Sequence, residues 1–156
     1  MQKIVKKFFS YCSYANQFLL QNYYRFMLSC PKNVLFLGKI KFYNPEKISI
    51  GHGVRFNDGV FLNIGKGLII EDDVTLSANV FITDTTSDVN HLPKHIHVRE
   101  PVLIRKNAWI GAGAIILPGV EVGEGCVIAA GAVLSQSTGV NEVWVGNPAR
   151  KAGNLK

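Results

Sequence analysis

Residues 102–134 read VLIRKNAWIGAGAIILPGVEVGEGCVIAAGAVL. Within them Ile104, Ile110, Ile116, Val122, Ile128 and Leu134 follow one another at every sixth position. Two residues before each stands Val102, Ala108, Ala114, Val120, Cys126 or Ala132, nearly all of them small or β-branched. A helix repeats near 3.6 residues and a strand at 2, so a period of six belongs to neither alone. A short fixed repeat points to a solenoid. Six residues make one short strand and one corner, and three such units close a triangular coil of roughly 18 residues. One aliphatic per unit then points inward and stacks on its equivalents in adjacent coils.

The pattern extends upstream with slips. Ile48, Val54 and Val60 share one register, and Leu68, Val74 and Val80 share another. The step from 60 to 68 is two residues too long, which predicts a bulge or a corner insertion. Units such as Ile50-Gly51-His52-Gly53-Val54 and Ile70-Glu71-Asp72-Asp73-Val74 place Gly, Asn or Asp after the aliphatic. Those residue types suit a corner of positive φ. His52 reads as one such corner residue. Between Val80 and Val102 the register fails. The stretch 83–101 holds three of the four histidines and two prolines, and it reads as a loop extruded from a corner. Long excursions from a regular solenoid tend to be functional.

Residues 1–33 form a separate segment. Ile4, Phe8, Tyr11, Ala15, Phe18, Leu19, Tyr23 and Phe26 recur in steps of three and four, which describes one face of a helix. The expected role of that face is to cover an end or flank of the main fold, residues 34–156. A second role is peripheral contact with a membrane through the lysines and aromatics. Pro31 stops the helix. Lys3, Lys6 and Lys7 precede an apolar region, as in a signal peptide, but Ser10, Ser13, Asn16, Gln17, Gln21 and Asn22 interrupt it and no small-x-small cleavage site follows. The segment therefore reads as retained, and as too polar to span a bilayer.

The 156 residues suit one domain, and at 47% hydrophobic and 18% charged they build a core rather than a disordered tail. A net charge of +6 favours anionic partners. The cations are scattered rather than banded and no recognition motif appears, so nucleic acid is not expected as a partner. Cys12, Cys30 and Cys126 are odd in number and form no CxxC pair, which indicates neither a disulfide framework nor a cysteine zinc site. A reducing, cytoplasmic setting follows, including the inner membrane surface if the helix docks there.

The segment Asn107-Ala108-Trp109-Ile110-Gly111-Ala112-Gly113-Ala114-Ile115-Ile116-Leu117-Pro118-Gly119-Val120 resembles the hexapeptide-repeat acyltransferases, and within them the sugar O- and N-acetyltransferases. Val122 to Val133 continues the match, and Val145-Gly146-Asn147-Pro148-Ala149-Arg150 resembles the family's terminal G-x-P-A-[RK] signature. The resemblance covers about residues 48–153. It implies an all-β solenoid: a left-handed parallel β-helix, here with an N-terminal α-helical segment and an extruded loop. It further implies a homotrimer, acetyl-CoA as co-substrate in a groove between neighbouring β-helices, a histidine base projecting from the loop, and polysaccharide biosynthesis as the setting.

Acetyl transfer from a thioester needs a base for the acceptor's proton, donors for the oxyanion and a site that holds both substrates. His91, His95 and His97 are the candidate bases. In many relatives the histidine follows the preceding strand closely, whereas this chain reads Ile82-Thr83-Asp84-Thr85-Thr86-Ser87-Asp88 there. His91 lies nearest the expected place, His97 next and His95 third. Asp84 or Asp88 fits two roles, orienting the base as a triad carboxylate does or forming a turn. By resemblance Trp109 lines the cleft near the pantetheine arm, though an outer-face position at the trimer interface is equally compatible. The N–H groups of Gly111, Ala112 and Gly113 are candidates for cofactor contact, and Ala130 and Gly131 allow close approach one coil later. Arg150 and Lys151, with Arg105 and Lys106, are candidate partners for the CoA phosphates. Asn57 and Asp58, at a corner of an early coil, are by resemblance acceptor contacts.

Two other classes fit parts of the pattern. One is a zinc enzyme resembling the γ-class carbonic anhydrases, with His95-x-His97 presenting two ligands on one face of an extended segment. The γ-class motifs are absent, and no metal is expected. The other is a non-catalytic trimeric binding protein, motivated by the displaced histidine.

Overall fold

The computed structural model describes residues 16–88, 93–94 and 96–155. The chain winds into a parallel β-helix of about five turns, preceded by one helix over 16–27. Its strands, two to five residues long, stack into three faces. The first face has seven strands, from Leu35–Phe36 through Arg55–Phe56, Thr75–Leu76, Trp109–Ile110 and Val127–Ile128 to Glu142–Val145 and Arg150–Asn154. The second has five strands and the third four.

Both six-residue columns face inward. Ile104, Ile110, Ile116, Val122, Ile128 and Leu134 have no exposed surface, and Val102, Ala108, Ala114, Val120, Cys126 and Ala132 are buried beside them. Burial of each aliphatic contributes about 2 kcal/mol. The upstream registers behave alike, with Ile48, Val54, Val60, Leu68, Val74 and Val80 all buried. Many corners close on a residue of positive φ, and the sequence supplies the residues that tolerate it: Gly53, Gly59, Asp73, Asn79, Asn107, Gly113, Gly125 and Gly131.

Strand register measures each coil. Leu103 pairs with Glu121 and Trp109 with Val127, which gives the expected coil of 18 residues. In the earlier coils Lys41 pairs with Phe61 and Ile48 with Leu68, a coil of 20. The two extra residues sit at the second corner, between the second and third faces, where Ile64 turns inward and is 1% exposed. The extruded loop leaves from that same corner one coil later, so insertion recurs where the solenoid already tolerates it. The loop is not structureless. Thr85–Ser87 and His97–Arg99 pair antiparallel, making a two-stranded arm.

The helix corrects one expectation. The face expected to cover the fold is the exposed one: Phe18 is 67% exposed, Leu19 66%, Tyr23 54% and Phe26 82%. Docking is instead made by Leu20, Tyr24 and Leu28, spaced four apart. The Tyr24 ring lies 5.1 Å from Phe36 and 6.1 Å from Phe42, over the first coil. Its hydroxyl donates to the Ile40 carbonyl and accepts the Ile40 N–H. That pair of bonds satisfies an end of the sheet that would otherwise be open. The larger apolar face was the easier one to see in the sequence, but burial followed the face that offers both shape and a polar partner. Ile4, Phe8, Tyr11 and Ala15 lie outside the described residues.

Candidate active site

The first corner, between the first and second faces, runs through 57–59, 77–79, 111–113 and 129–131. Small residues dominate its lower coils. Gly111 is buried because the next coil passes directly over it: a Cβ there would stand 2.5 Å from the Ala130 nitrogen. Gly113 and Gly131 are the opposite case. Both hold positive φ, and a Cβ on either would meet nothing within 4 Å. The result is a shallow trough of exposed Ala112, Gly113, Ala130 and Gly131 with open space above it.

Trp109 stands at the rim, on the outer side of the first face and 53% exposed. Its indole N–H donates to the Ser77 hydroxyl at 2.9 Å, which fixes the ring against the preceding coil. Ser77 escaped notice in the sequence because its role depends on a partner 32 residues away. Two of the three candidate N–H donors are already engaged. Gly111 donates to the Ile128 carbonyl at 2.7 Å and Gly113 to the Ala78 carbonyl at 2.8 Å. Ala112 is the one of the three whose N–H has no such bond among the described residues.

A C-terminal hairpin that the sequence reading did not anticipate extends the Trp109 face. Glu142–Val145 pairs with Val127–Ile128 and is returned by Arg150–Asn154 through a cis Asn147-Pro148 bond. Arg150 and Lys151 are thereby carried to the same side of the molecule as Trp109 and the trough. Arg150 is exposed, with Nη1 on the Ala149 carbonyl at 2.9 Å. The Lys151 ammonium lies 2.6 Å from Glu142. Hydrogen bonds from Lys151, the Trp144 indole and the Gly139 N–H pull the Glu142 carboxyl down to about 2.

Arg105 and Lys106 are not brought there. They sit at the third corner, between the third and first faces, where Arg105 bridges Glu71 at 2.9 Å and Glu121 at 2.7 Å. Those two carboxylates raise its already high pKa. Lys106 pairs with Glu124 at 3.3 Å. Both residues brace adjacent coils. His52 occupies the same corner column, exposed, with its N–H on the Asp72 carboxylate. Asn57 and Asp58 lie on the trough's own corner, two coils above Ala112, about 10 Å at the usual strand spacing. Asn57 donates to the Leu76 carbonyl and Asp58 accepts the Lys39 N–H.

Asp84 takes the turn-forming role. It is fully buried, and its carboxylate accepts the N–H groups of Gly65, Lys66 and Gly67 and the Thr85 hydroxyl at 2.6–2.8 Å. Burial by itself raises its pKa; the four hydrogen bonds outweigh that and hold the carboxyl below its ordinary value of 3.8. Among the described residues no imidazole is one of these partners. Asp88 lies just past the outer end of the arm's paired strands, its N–H on the Ile96 carbonyl. His97 is exposed on the arm, opposite Ser87. His91 and His95 lie outside the described residues. Among the described residues no group of three His, Cys, Asp or Glu side chains is placed to hold a metal.

Residues 101–136 match the family model described as bacterial transferase hexapeptide (six repeats), and residues 48–84 match the hexapeptide repeat of succinyl-transferase. A maltose O-acetyltransferase from Clostridium difficile 630 is 30% identical and superposes with a TM-score of 0.70, covering 80% of this chain and 68% of its own. The chain belongs to the hexapeptide-repeat acyltransferase family. Over 105 residues it is 39% identical to a putative serine acetyltransferase from Schizosaccharomyces pombe, covering 67% of this chain and 36% of that protein. An N-acyltransferase from Bacillus cereus, solved with dTDP and 3-hydroxybutyryl-CoA, is 27% identical with a TM-score of 0.65, covering 80% of this chain and 81% of its own. The chain spans about a third to a little over half of the curated relatives' length.

Proposed function

We propose that this chain is an acetyl-CoA-dependent acetyltransferase that acts on a hydroxyl or amine of a sugar, nucleotide sugar or surface glycan on the cytoplasmic side of the membrane. The observation that carries the reading is the first corner: exposed Trp109 beside small residues whose missing Cβ atoms leave open space at Gly113 and Gly131. A thin pantetheine chain fits such a trough, and a bulkier corner would exclude it. Ala112 offers an N–H to it, while Arg150 and Lys151 lie on the same side for its phosphates. The maltose O-acetyltransferase and the nucleotide in the Bacillus cereus complex support a sugar acceptor.

In this reading a histidine of the 83–101 stretch takes the proton as the acceptor oxygen or nitrogen attacks the thioester carbonyl. The carbon–sulfur bond then breaks, and the proton passes to the departing thiolate. His91 is the first candidate and His97 the second.

The arm leaves from the second corner, whereas the trough lies on the first, and the second face separates them. That separation supports a site shared between copies, with one copy's arm reaching its neighbour's trough. The outer side of the second face carries half-buried Phe61, Phe81, Ile115 and Val133, an apolar column suited to cover by another copy in a trimer.

An acceptor screen with acetyl-CoA, following thiol release, tests the proposal. Sugars, nucleotide-linked amino sugars and free serine form its arms. Turnover with a carbohydrate supports the reading; turnover with serine alone contradicts the acceptor class. His91→Ala should lower kcat about 100-fold or more with CoA affinity unchanged. Full activity in that variant removes His91 as the base.

A further inference from the structure

The helix over 16–27 has two apolar faces, and the fold covers only one. Leu20, Tyr24 and Leu28 pack on the first coil, while Phe18, Leu19, Tyr23 and Phe26 stand exposed. Four large apolar side chains on one side of a short helix exceed the scatter expected of a soluble surface.

The sequence upstream separates the two faces further. Ile4, Phe8, Tyr11 and Ala15 lead to Phe18 in alternating steps of four and three, in phase with the exposed face. Lys3, Lys6, Ser10, Ser13 and Gln17 lead to Leu20 in the same manner, in phase with the docked face. By sequence spacing alone, the register that leads to Leu20 is basic and polar, while the one that leads to Phe18 is apolar. A segment built only to cover the β-helix would show the reverse.

The chain's excess positive charge lies at this end of the sequence. Lys3, Lys6, Lys7, Arg25, Lys32, Lys39 and Lys41 all precede the first acidic residue, Glu46. The remaining ten cations and eleven acids nearly cancel. We propose that the exposed face docks on the surface of an anionic lipid bilayer. Its aromatic and aliphatic side chains enter the boundary between head groups and acyl chains, and the lysines meet lipid phosphates. Among the described residues no helix is long and apolar enough to cross a membrane. A narrow apolar stripe backed by cations is the pattern of a helix that lies in the interface.

Co-sedimentation of the full chain with vesicles tests this independently of transfer activity. The protein should sediment with phosphatidylcholine vesicles containing phosphatidylglycerol, and at least about tenfold less with phosphatidylcholine alone. The double variant Phe18→Ser, Phe26→Ser should lose about tenfold in partitioning per phenylalanine. The exposed positions let it keep the wild-type unfolding midpoint. The triple variant Lys3→Glu, Lys6→Glu, Lys7→Glu should lose the preference for anionic vesicles. Wild-type protein that stays in the supernatant with anionic vesicles overturns the proposal, as does a double variant that sediments like the wild type. A double variant that falls to a smaller oligomer in vesicle-free solution also overturns it, by assigning the face to a second copy of the chain.

Discussion

Asp84 holds the turn at Gly65: its Oδ1 accepts the Gly65 N–H at 2.7 Å across 19 residues of sequence. The same carboxylate closes on Lys66 and Gly67, so it ties the base of the arm to the corner of the preceding coil. Asp84→Ala leaves three N–H groups without this partner and should cost about 3 kcal/mol, read by denaturant unfolding. Because the folded-state pKa is depressed, the carboxylate's contribution is complete above the ordinary value of 3.8 and is lost as pH falls through the lower folded value. The stability gap between wild type and Asp84→Asn should therefore be widest near neutrality and shrink below about pH 4. A gap that stays constant down to acid pH contradicts the assignment.

Gly111 and Gly113 should respond differently to the same change. At Gly111 a new Cβ meets backbone, so Gly111→Ala forces two coils apart and should cost several kcal/mol, about 3 or more. At Gly113 the space is open and only positive φ is strained, so Gly113→Ala should cost about 1 kcal/mol. Thermal unfolding of the two variants side by side checks the order.

Ile116 is fully buried in the inner column. Ile116→Ala should cost about 2–5 kcal/mol, and Ile116→Asp should prevent folding by placing an unpaired charge in the stack. Circular dichroism and soluble yield report both. A folded Asp variant would mean that the column is less tightly closed than its burial indicates.

Trp109 is held by Ser77 rather than by the core, so truncating it should spare stability. Trp109→Ala should weaken acetyl-CoA binding about tenfold while leaving the unfolding midpoint within a degree or two. Ser77→Ala, which only frees the ring, should weaken it less. Unchanged affinity in both would remove the indole from the site.

Most of the solenoid was legible because its signal is one-dimensional. Ile104 through Leu134 repeat every six residues, and each inward position depends only on its own coil. The two-residue excess before Leu68 was legible for the same reason, as a break in phase. The relationships that the sequence concealed are those between coils. The turn that Asp84 holds becomes visible only when its partners at 65–67 are seen. The ion pairs of Arg105 appear only when Glu71 and Glu121 are found on either side of it. The helix misled because Phe18, Leu19, Tyr23 and Phe26 outnumber the three residues that dock. The number of apolar residues does not show which face finds a partner such as Ile40. The pairing of Thr85–Ser87 with His97–Arg99 was hidden because three residues a side are too few to show alternation.

Calorimetric titration of acetyl-CoA into wild type and Ala130→Glu tests the trough most directly. Ala130 is exposed at the corner, so the variant keeps its fold while a charged side chain fills the open space. One acetyl-CoA per chain bound by the wild type, and none by Ala130→Glu at the same concentrations, is the predicted result. Equal binding by both proteins, or none by the wild type, would contradict the placement of the thioester carrier on this corner.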